Sequence, residues 1–129
     1  MKKTIWILII GSLGISGCEE ILEVPDISNQ QIQLLAPLNG TVVNDSMVSF
    51  NWEDILDAEG YVLQVATPNF ENANQLVLDT IIVVDSTFTG TRFSKTLNNN
   101  LYEWRVKGFN SDFETGFSNS LFEVNTAGN

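Results

Sequence analysis

The chain has 129 residues, room for a single domain, and 43% of them are hydrophobic, enough for one buried core. Sixteen acidic residues stand against six basic ones, which gives a formal net charge of −10. Such a surface repels nucleic-acid phosphates and anionic lipid headgroups, so we expect no nucleic-acid binding and no electrostatic docking on membranes. Histidine is absent and there is one cysteine, so an imidazole base, a zinc cluster and an intrachain disulfide are excluded. We therefore expect neither an enzyme nor a cofactor-binding protein.

Residues 1–17 have the three parts of a secretory signal: a positive start, an apolar stretch and small residues at its end. The apolar stretch is shorter than the roughly 20 residues that a spanning helix needs. The following quartet, Ile15-Ser16-Gly17-Cys18, resembles the lipobox of bacterial lipoproteins. The resemblance implies cleavage before Cys18 and its modification with a diacylglycerol and an amide-linked acyl chain such as palmitate. A retained transmembrane anchor, and a plain signal peptide with an incidental cysteine, are the alternatives.

Residues 18–33 are predicted to be the lipidated N-terminus and a flexible tether, because Pro25 breaks any helix and no periodicity is sustained. Glu19 and Glu20 resemble the export signal that sends lipoproteins of Bacteroidetes-type bacteria to the outer face of the outer membrane. They are equally typical of a solvated tether, so a periplasmic face stays open. Four apolar side chains are unusual for a free tether and are expected to lie on the domain or on a partner: Ile21, Leu22, Val24 and Ile27.

Residues 34–126 are predicted to form an all-β domain, with 127–129 as a tail, because short β-rich runs alternate with turn residues. Trp52 and Trp104 share parity with apolar positions, so both are expected in the core and not as sugar-stacking platforms. The run from Leu76 to Val84 fits either one bent strand or two strands around a bulge. The other predicted strands are Leu34–Pro37, Met47–Trp52, Tyr61–Ala66, Thr87–Phe93, Leu101–Asn110 and Ser118–Thr126.

About seven strands in this length match the size of an immunoglobulin-like β-sandwich. Several short pieces together resemble a fibronectin type III domain, in the variety found on bacterial surface lipoproteins. The spacing after Leu97 lacks the proline common in that corner of the family. The pieces are Ala36-Pro37 with Asn39-Gly40, Phe50-Asn51-Trp52, Ala58-Glu59-Gly60-Tyr61, Leu97 before Tyr102-Glu103-Trp104-Arg105-Val106, Gly116-Phe117-Ser118 and Phe122-Glu123-Val124.

Three aromatic residues fall outside the core parity near the last connection of the domain. Phe109 shares its face with Arg105 and Lys107, and Phe113 and Phe117 flank an acidic connection. Loops at the end of a sandwich often bind ligands, so these rings are predicted contacts for a protein or a glycan. The alternative is that they shield the end of the sandwich.

Glu53, Asp54, Asp57 and Glu59 crowd one predicted turn, where hard oxygen ligands would suit calcium. Their order does not follow an EF-hand loop, and a turn supplies no cleft for the paired carboxylates of a glycosidase. We therefore expect neither a metal site nor catalysis at this turn.

Ser46, Thr80 and Ser86 each follow an aspartate, in a pattern that resembles the O-glycosylation acceptor of Bacteroidetes-type bacteria. The same dipeptides are ordinary at a transition from turn to strand, so modification and a purely local role are both open.

Taken together, the sequence favours a lipid-anchored cell-envelope module that binds a membrane-protein partner as an accessory subunit of an outer-membrane assembly. The alternative function is glycan binding for polysaccharide capture.

Overall fold

The computed structural model describes residues 23–126, which form strands, turns and loops. Within this range no helix is long and apolar enough to cross a membrane. The predicted all-β class is confirmed. The strands are β1 (Leu34–Ala36), β2 (Thr41–Val43), β3 (Met47–Trp52), β4 (Gly60–Thr67), β5 (Gln75–Val83), β6 (Arg92–Thr96), β7 (Asn100–Phe109) and β8 (Ser118–Val124).

Two sheets pack face to face, one with the order β1-β3-β6 and the other with the order β2-β8-β7-β4-β5. Neighbouring strands are antiparallel except β2 and β8, which run parallel. Aromatic rings of β3 meet rings of the larger sheet across the core. The Phe50 centroid lies 5.0 Å from that of Trp104 and 5.8 Å from that of Phe122, and the Trp52 centroid lies 5.7 Å from that of Tyr61. The two layers therefore enclose one core in a sandwich-like arrangement.

The alternation of apolar and polar residues predicts the central strands, and the structure has strands at those positions. In β7, Tyr102, Trp104 and Val106 are buried, while the side chains between them face outward. Trp52 and Trp104 are 2% and 0% exposed, so their predicted place in the core is confirmed. The Trp104 indole also donates from Nε1 to the Pro37 carbonyl at 2.9 Å, which ties the chain after β1 to the core.

The strand prediction is wrong or incomplete at two places, and one open alternative is decided. β2 was not predicted, since three residues are too few to show alternation. Of the predicted strand from Thr87 to Phe93, residues 87–91 form a loop with a single bridge between Asp85 and Phe88, and β6 starts only at Arg92. Of the two alternatives for Leu76 to Val84, the single strand is the one observed: β5 is continuous, and the irregularity in its pairing lies opposite Val65 and Ala66 of β4.

The packed domain starts before residue 34, inside the range predicted to be a tether. Ile27 and Ile32 are 1% and 3% exposed and belong to the core. The Ile32 carbonyl accepts a hydrogen bond from Ser118 Oγ at 2.6 Å, and the Pro25 carbonyl accepts one from Asn110 Nδ2 at 2.9 Å. Ile27 thus lies on the domain, as its apolar character indicated, while the burial of Ile32 was not predicted.

This N-terminal segment, residues 23–33, docks at the end of the sandwich formed by loops 53–59, 84–91 and 110–117, which we call the entry end. The opposite end, called the far end, is formed by loops 44–46, 68–74 and 97–99, while loop 37–40 runs along the side of the sandwich beside Leu121 of β8. The ten residues of β7 separate the two ends by about 30 Å, since a strand rises by about 3.4 Å per residue.

Candidate functional site

On the outer face of the five-stranded sheet, the Arg105 side chain lies between two aromatic rings. The Arg105 guanidinium carbon lies 4.0 Å from the Phe70 centroid and 4.2 Å from the Phe117 centroid. Lys107 Nζ lies 4.9 Å from the Phe117 centroid. Arg105 Nε donates to Gln64 Oε1 at 2.8 Å. The aromatic faces stabilise the cation by cation–π attraction, and the hydrogen bond fixes its orientation.

The register of β4, β5 and β7 builds the surroundings of this cation. Gln64 lies opposite both Arg105 and Asp79, and its Nε2 donates to Asp79 Oδ1 at 3.1 Å. Glu103, also on the outer face of β7, accepts from the Phe70 backbone N–H at 2.9 Å and so holds loop 68–74 over the sheet. Phe70 was not predicted as part of this cluster, because nothing local in a loop indicates which strand it covers.

The three predicted contact aromatics do not form one surface. Phe117 stacks on the outer face of the sheet, as described above. Phe109 lies across Gly60, where an added Cβ would be 2.6 Å from Phe109 Cζ. Phe113 packs against the core cluster, and its N–H donates to Asn110 Oδ1 at 2.9 Å. Phe113 therefore helps to close the entry end, and of the three rings Phe117 borders an open cleft.

That cleft has a volume of about 450 Å³ and runs between the N-terminal segment and the start of β8. Phe117 and Leu38 supply apolar surface, and the other lining side chains are largely amides and hydroxyls. This combination of a ring with amide donors and acceptors suits a polar, hydroxyl-rich ligand. The polar lining side chains are Gln31, Gln33, Asn39, Ser118, Asn119 and Ser120.

A second concavity of about 330 Å³ lies at the far end, on the outer side of β2, β8 and β7. Val42, Leu101 and Leu121 line it and are 50%, 54% and 46% exposed. Pro68 adds apolar surface. We call this concavity the far groove. Its two leucines occupy outward positions on strands that are largely polar on that face, and this exposed pair is visible in the sequence as a break in the alternation.

The acidic turn has a structural role through Asp54. Asp54 Oδ1 accepts a hydrogen bond from the Tyr61 hydroxyl at 2.8 Å, and the same hydroxyl accepts from the Ile55 N–H at 2.9 Å. Burial raises the pKa of Tyr61 above its ordinary value, with a further contribution from the hydrogen bond to Asp54. In residues 23–126 the carboxylates of this turn do not join others in a group of three or more that could hold a metal ion.

The three predicted O-glycosylation residues differ in setting. Ser46 and Ser86 are exposed, and each follows an aspartate whose Oδ1 accepts the N–H two residues later. Those bonds are the local turn chemistry considered as the alternative. Thr80 is half-buried within β5 and lies opposite Leu63, on the inner face of the sheet. Modification of any of the three stays a prediction.

The best-defined residue of the sequence prediction, Cys18, lies outside the described residues, as do the predicted signal at 1–17 and the predicted tail at 127–129. Lipidation therefore stays a prediction. A scan against protein-family models and a search of curated proteins found no match to this chain.

Proposed function

We propose that this protein is a lipid-anchored interaction module of the cell envelope, and an accessory subunit of an outer-membrane protein assembly. The observation that carries the proposal is the docking of residues 23–33 at the entry end. Asn110 holds Pro25 there, and six residues lie between Pro25 and Cys18. Even fully extended, the seven residue steps from Cys18 to Pro25 span about 25 Å, so a lipid on Cys18 would keep the entry end near the membrane. The far groove would then be available to a partner.

A fibronectin type III-like fold is part of the same proposal. The Tyr102 hydroxyl donates to the Asn98 carbonyl at 2.7 Å, four residues upstream. A tyrosine near the start of a strand that bonds back to the preceding corner resembles the tyrosine corner of immunoglobulin-like sandwiches. Two facing sheets with separated ends and loop clusters are also typical of that architecture.

Two experiments test the proposal. Labelled palmitate should be incorporated into the wild-type protein and not into a Cys18→Ala variant, and equal incorporation would contradict the lipid anchor. A photo-crosslinking residue should then be placed at Leu121, in the far groove, and at Leu56, which is 77% exposed in loop 53–59 at the entry end. We expect a discrete membrane-protein adduct from position 121 and none from position 56.

The control at position 56 separates a specific groove from mere exposure, because Leu56 is the more exposed of the two side chains. Equal crosslinking from both positions, or recovery of uncrosslinked protein alone, would contradict a partner at the far groove. Fractionation of outer and inner membranes, followed by protease treatment of intact cells, would test the outer-membrane location and the outward-facing placement separately.

The cleft beside Phe117 supports a second candidate function, the binding of a glycan. The Phe117 ring could contact the apolar ring face of a sugar, and the amide side chains could hydrogen-bond its hydroxyl groups. Binding on a glycan array should be lost in Phe117→Ala and reduced in Asn119→Ala. Leu101→Ala, in the far groove, is the matched control and should bind as the wild type does. Binding that survives Phe117→Ala would exclude the cleft.

A further inference from the structure

The outer edge of β5 is a long strand edge without a partner among the described residues. β5 has nine residues and lies at the end of the order β2-β8-β7-β4-β5. The Val84 N–H bonds to the Glu59 carbonyl at 3.0 Å, so the Val83 C=O of the same peptide group points away from β4. Alternation along an antiparallel ladder gives the same outward direction to the N–H and C=O groups of Asp79 and Ile81.

The side chains along this edge are apolar and exposed. Ile81 and Val83 are each 62% exposed, and Leu76 is 48% exposed. Natural edge strands are usually protected by charged side chains, especially lysine, by proline, by β-bulges, by short length or by a covering segment. In β5 the pairing irregularity lies between Leu76 and Leu78 and the one charged side chain is Asp79, so residues 81–83 have neither of these two devices. Between Gln75 and Val83 there is neither lysine nor proline, and no segment of residues 23–126 pairs with this edge. β5 therefore presents both backbone groups and apolar side chains to an incoming strand.

Exposed carboxylates lie on and beside the edge, and their negative charge favours an incoming strand of positive charge. Asp79 lies in the middle of β5 on the outer face, and Glu59, Glu71 and Asp85 lie at or beside its ends, all exposed. A second copy pairing antiparallel with β5 would bring two sets of these carboxylates together, which like-charge repulsion opposes. Two cations on the outer face of β7 are already engaged, Arg105 by rings and by Gln64, and Lys107 by Glu114. The edge thus resists self-pairing and favours a basic strand.

We propose that β5 is a strand-addition site for an extended segment of a partner protein that alternates apolar residues with lysine or arginine. Asp79, Ile81 and Val83 hydrogen-bond this segment through their outward backbone groups, Ile81 and Val83 pack against its apolar side chains, and Asp79 faces its basic ones. The inference does not rest on the lipid anchor or on the far groove, because β5 is a separate edge of the domain.

The test uses the isotope-labelled full chain in detergent and a nine-residue peptide of alternating valine and lysine with blocked ends. Addition of the peptide should slow amide hydrogen exchange at Asp79, Ile81 and Val83 by about tenfold or more, while the amide of Ile82, which already faces β4, should not change. The same peptide with an N-methyl group at every internal residue should not protect these amides, because the methyl groups remove the donors of both edges and block close approach of the two backbones.

Variants separate the contributions of shape and charge. Ile81→Lys puts a positive charge at the edge and should weaken binding of the lysine peptide by about tenfold. Leu101→Lys is the matched control, because Leu101 is 54% exposed on the non-edge strand β7, and this variant should bind the peptide as the wild type does. Asp79→Asn should weaken binding by up to about fivefold, as expected of one cross-strand charge pair.

Three outcomes would overturn the inference. A peptide of valine and glutamate that binds as well as the lysine peptide would remove the role of charge. Protection of the Ile81 amide that rises with protein concentration, together with a dimer in sedimentation, would assign the edge to a second copy. Peptide-induced changes at Val42 and Leu121 with none in β5 would assign peptide binding to the far groove.

Discussion

Replacement of Ile27 by alanine tests whether the N-terminal segment belongs to the folded unit. Ile27 is 1% exposed within the core cluster. The change removes three carbon atoms, worth about 2.4 kcal/mol at about 0.8 kcal/mol per buried methylene. The cavity left behind raises the expected loss in free energy of unfolding to about 3 kcal/mol. Ile27→Val removes one carbon and should cost about 1 kcal/mol.

Urea unfolding followed by the fluorescence of the buried Trp52 and Trp104 measures these losses. At a slope of about 1.5 kcal/mol per molar, Ile27→Ala should lower the midpoint by about 2 M. Ile81→Ala is the matched control, because Ile81 is 62% exposed, and it should change stability by less than about 0.5 kcal/mol. Equal small losses for Ile27→Ala and Ile81→Ala would refute the inclusion of residues 23–33 in the domain.

Three further changes have defined outcomes. Tyr61→Phe should lower the free energy of unfolding at neutral pH by about 1–2 kcal/mol, because the hydroxyl makes two hydrogen bonds. Burial raises the pKa of Tyr61, so the folded state keeps a proton that the unfolded state loses above about pH 10. Stability should fall as pH rises beyond that value, and less steeply in Tyr61→Phe; equal slopes in an alkaline denaturation series would contradict this. Gly60→Ala should lower the free energy of unfolding by about 1–3 kcal/mol, because the new Cβ would be 2.6 Å from Phe109 Cζ and 2.9 Å from a backbone carbonyl. Adding Phe109→Ala should recover only part of this loss, because the contact with the carbonyl remains. Tyr102→Phe removes one hydrogen bond to a backbone carbonyl and should lower the thermal midpoint by an amount equivalent to about 1 kcal/mol, with no effect expected if that bond is absent.

The core could be predicted from the sequence because alternation reports burial on one face of a strand. Phe50 with Trp52, and Tyr102 with Trp104, recur at every second residue, and each pair is buried. Ile32 could not be found in this way. It shares parity with the buried Leu34, but the alternation covers only residues 31–34, and its burial depends on how the segment returns to the start of β8.

The candidate site was predictable only in part, because it depends on contacts between distant segments. Parity placed Phe109 on the same face as Arg105, and that face is indeed the outer one. Phe113 lies in a loop, where parity has no meaning, and it packs inward. The contact of Phe70 with Arg105 follows from a hydrogen bond to Glu103 and from strand register, neither of which a local pattern contains.

The parallel pairing of β2 with β8 has a mechanical consequence. β2 follows the N-terminal part of the chain and β8 carries the C-terminal end, and the two strands are in register from Thr41 with Phe122 to Val43 with Val124. A pull between the N-terminal segment and a load held at the far end would slide these strands along each other. Their hydrogen bonds would then bear force together instead of opening one after another. The domain is therefore built to resist traction along its long axis better than peeling from its side.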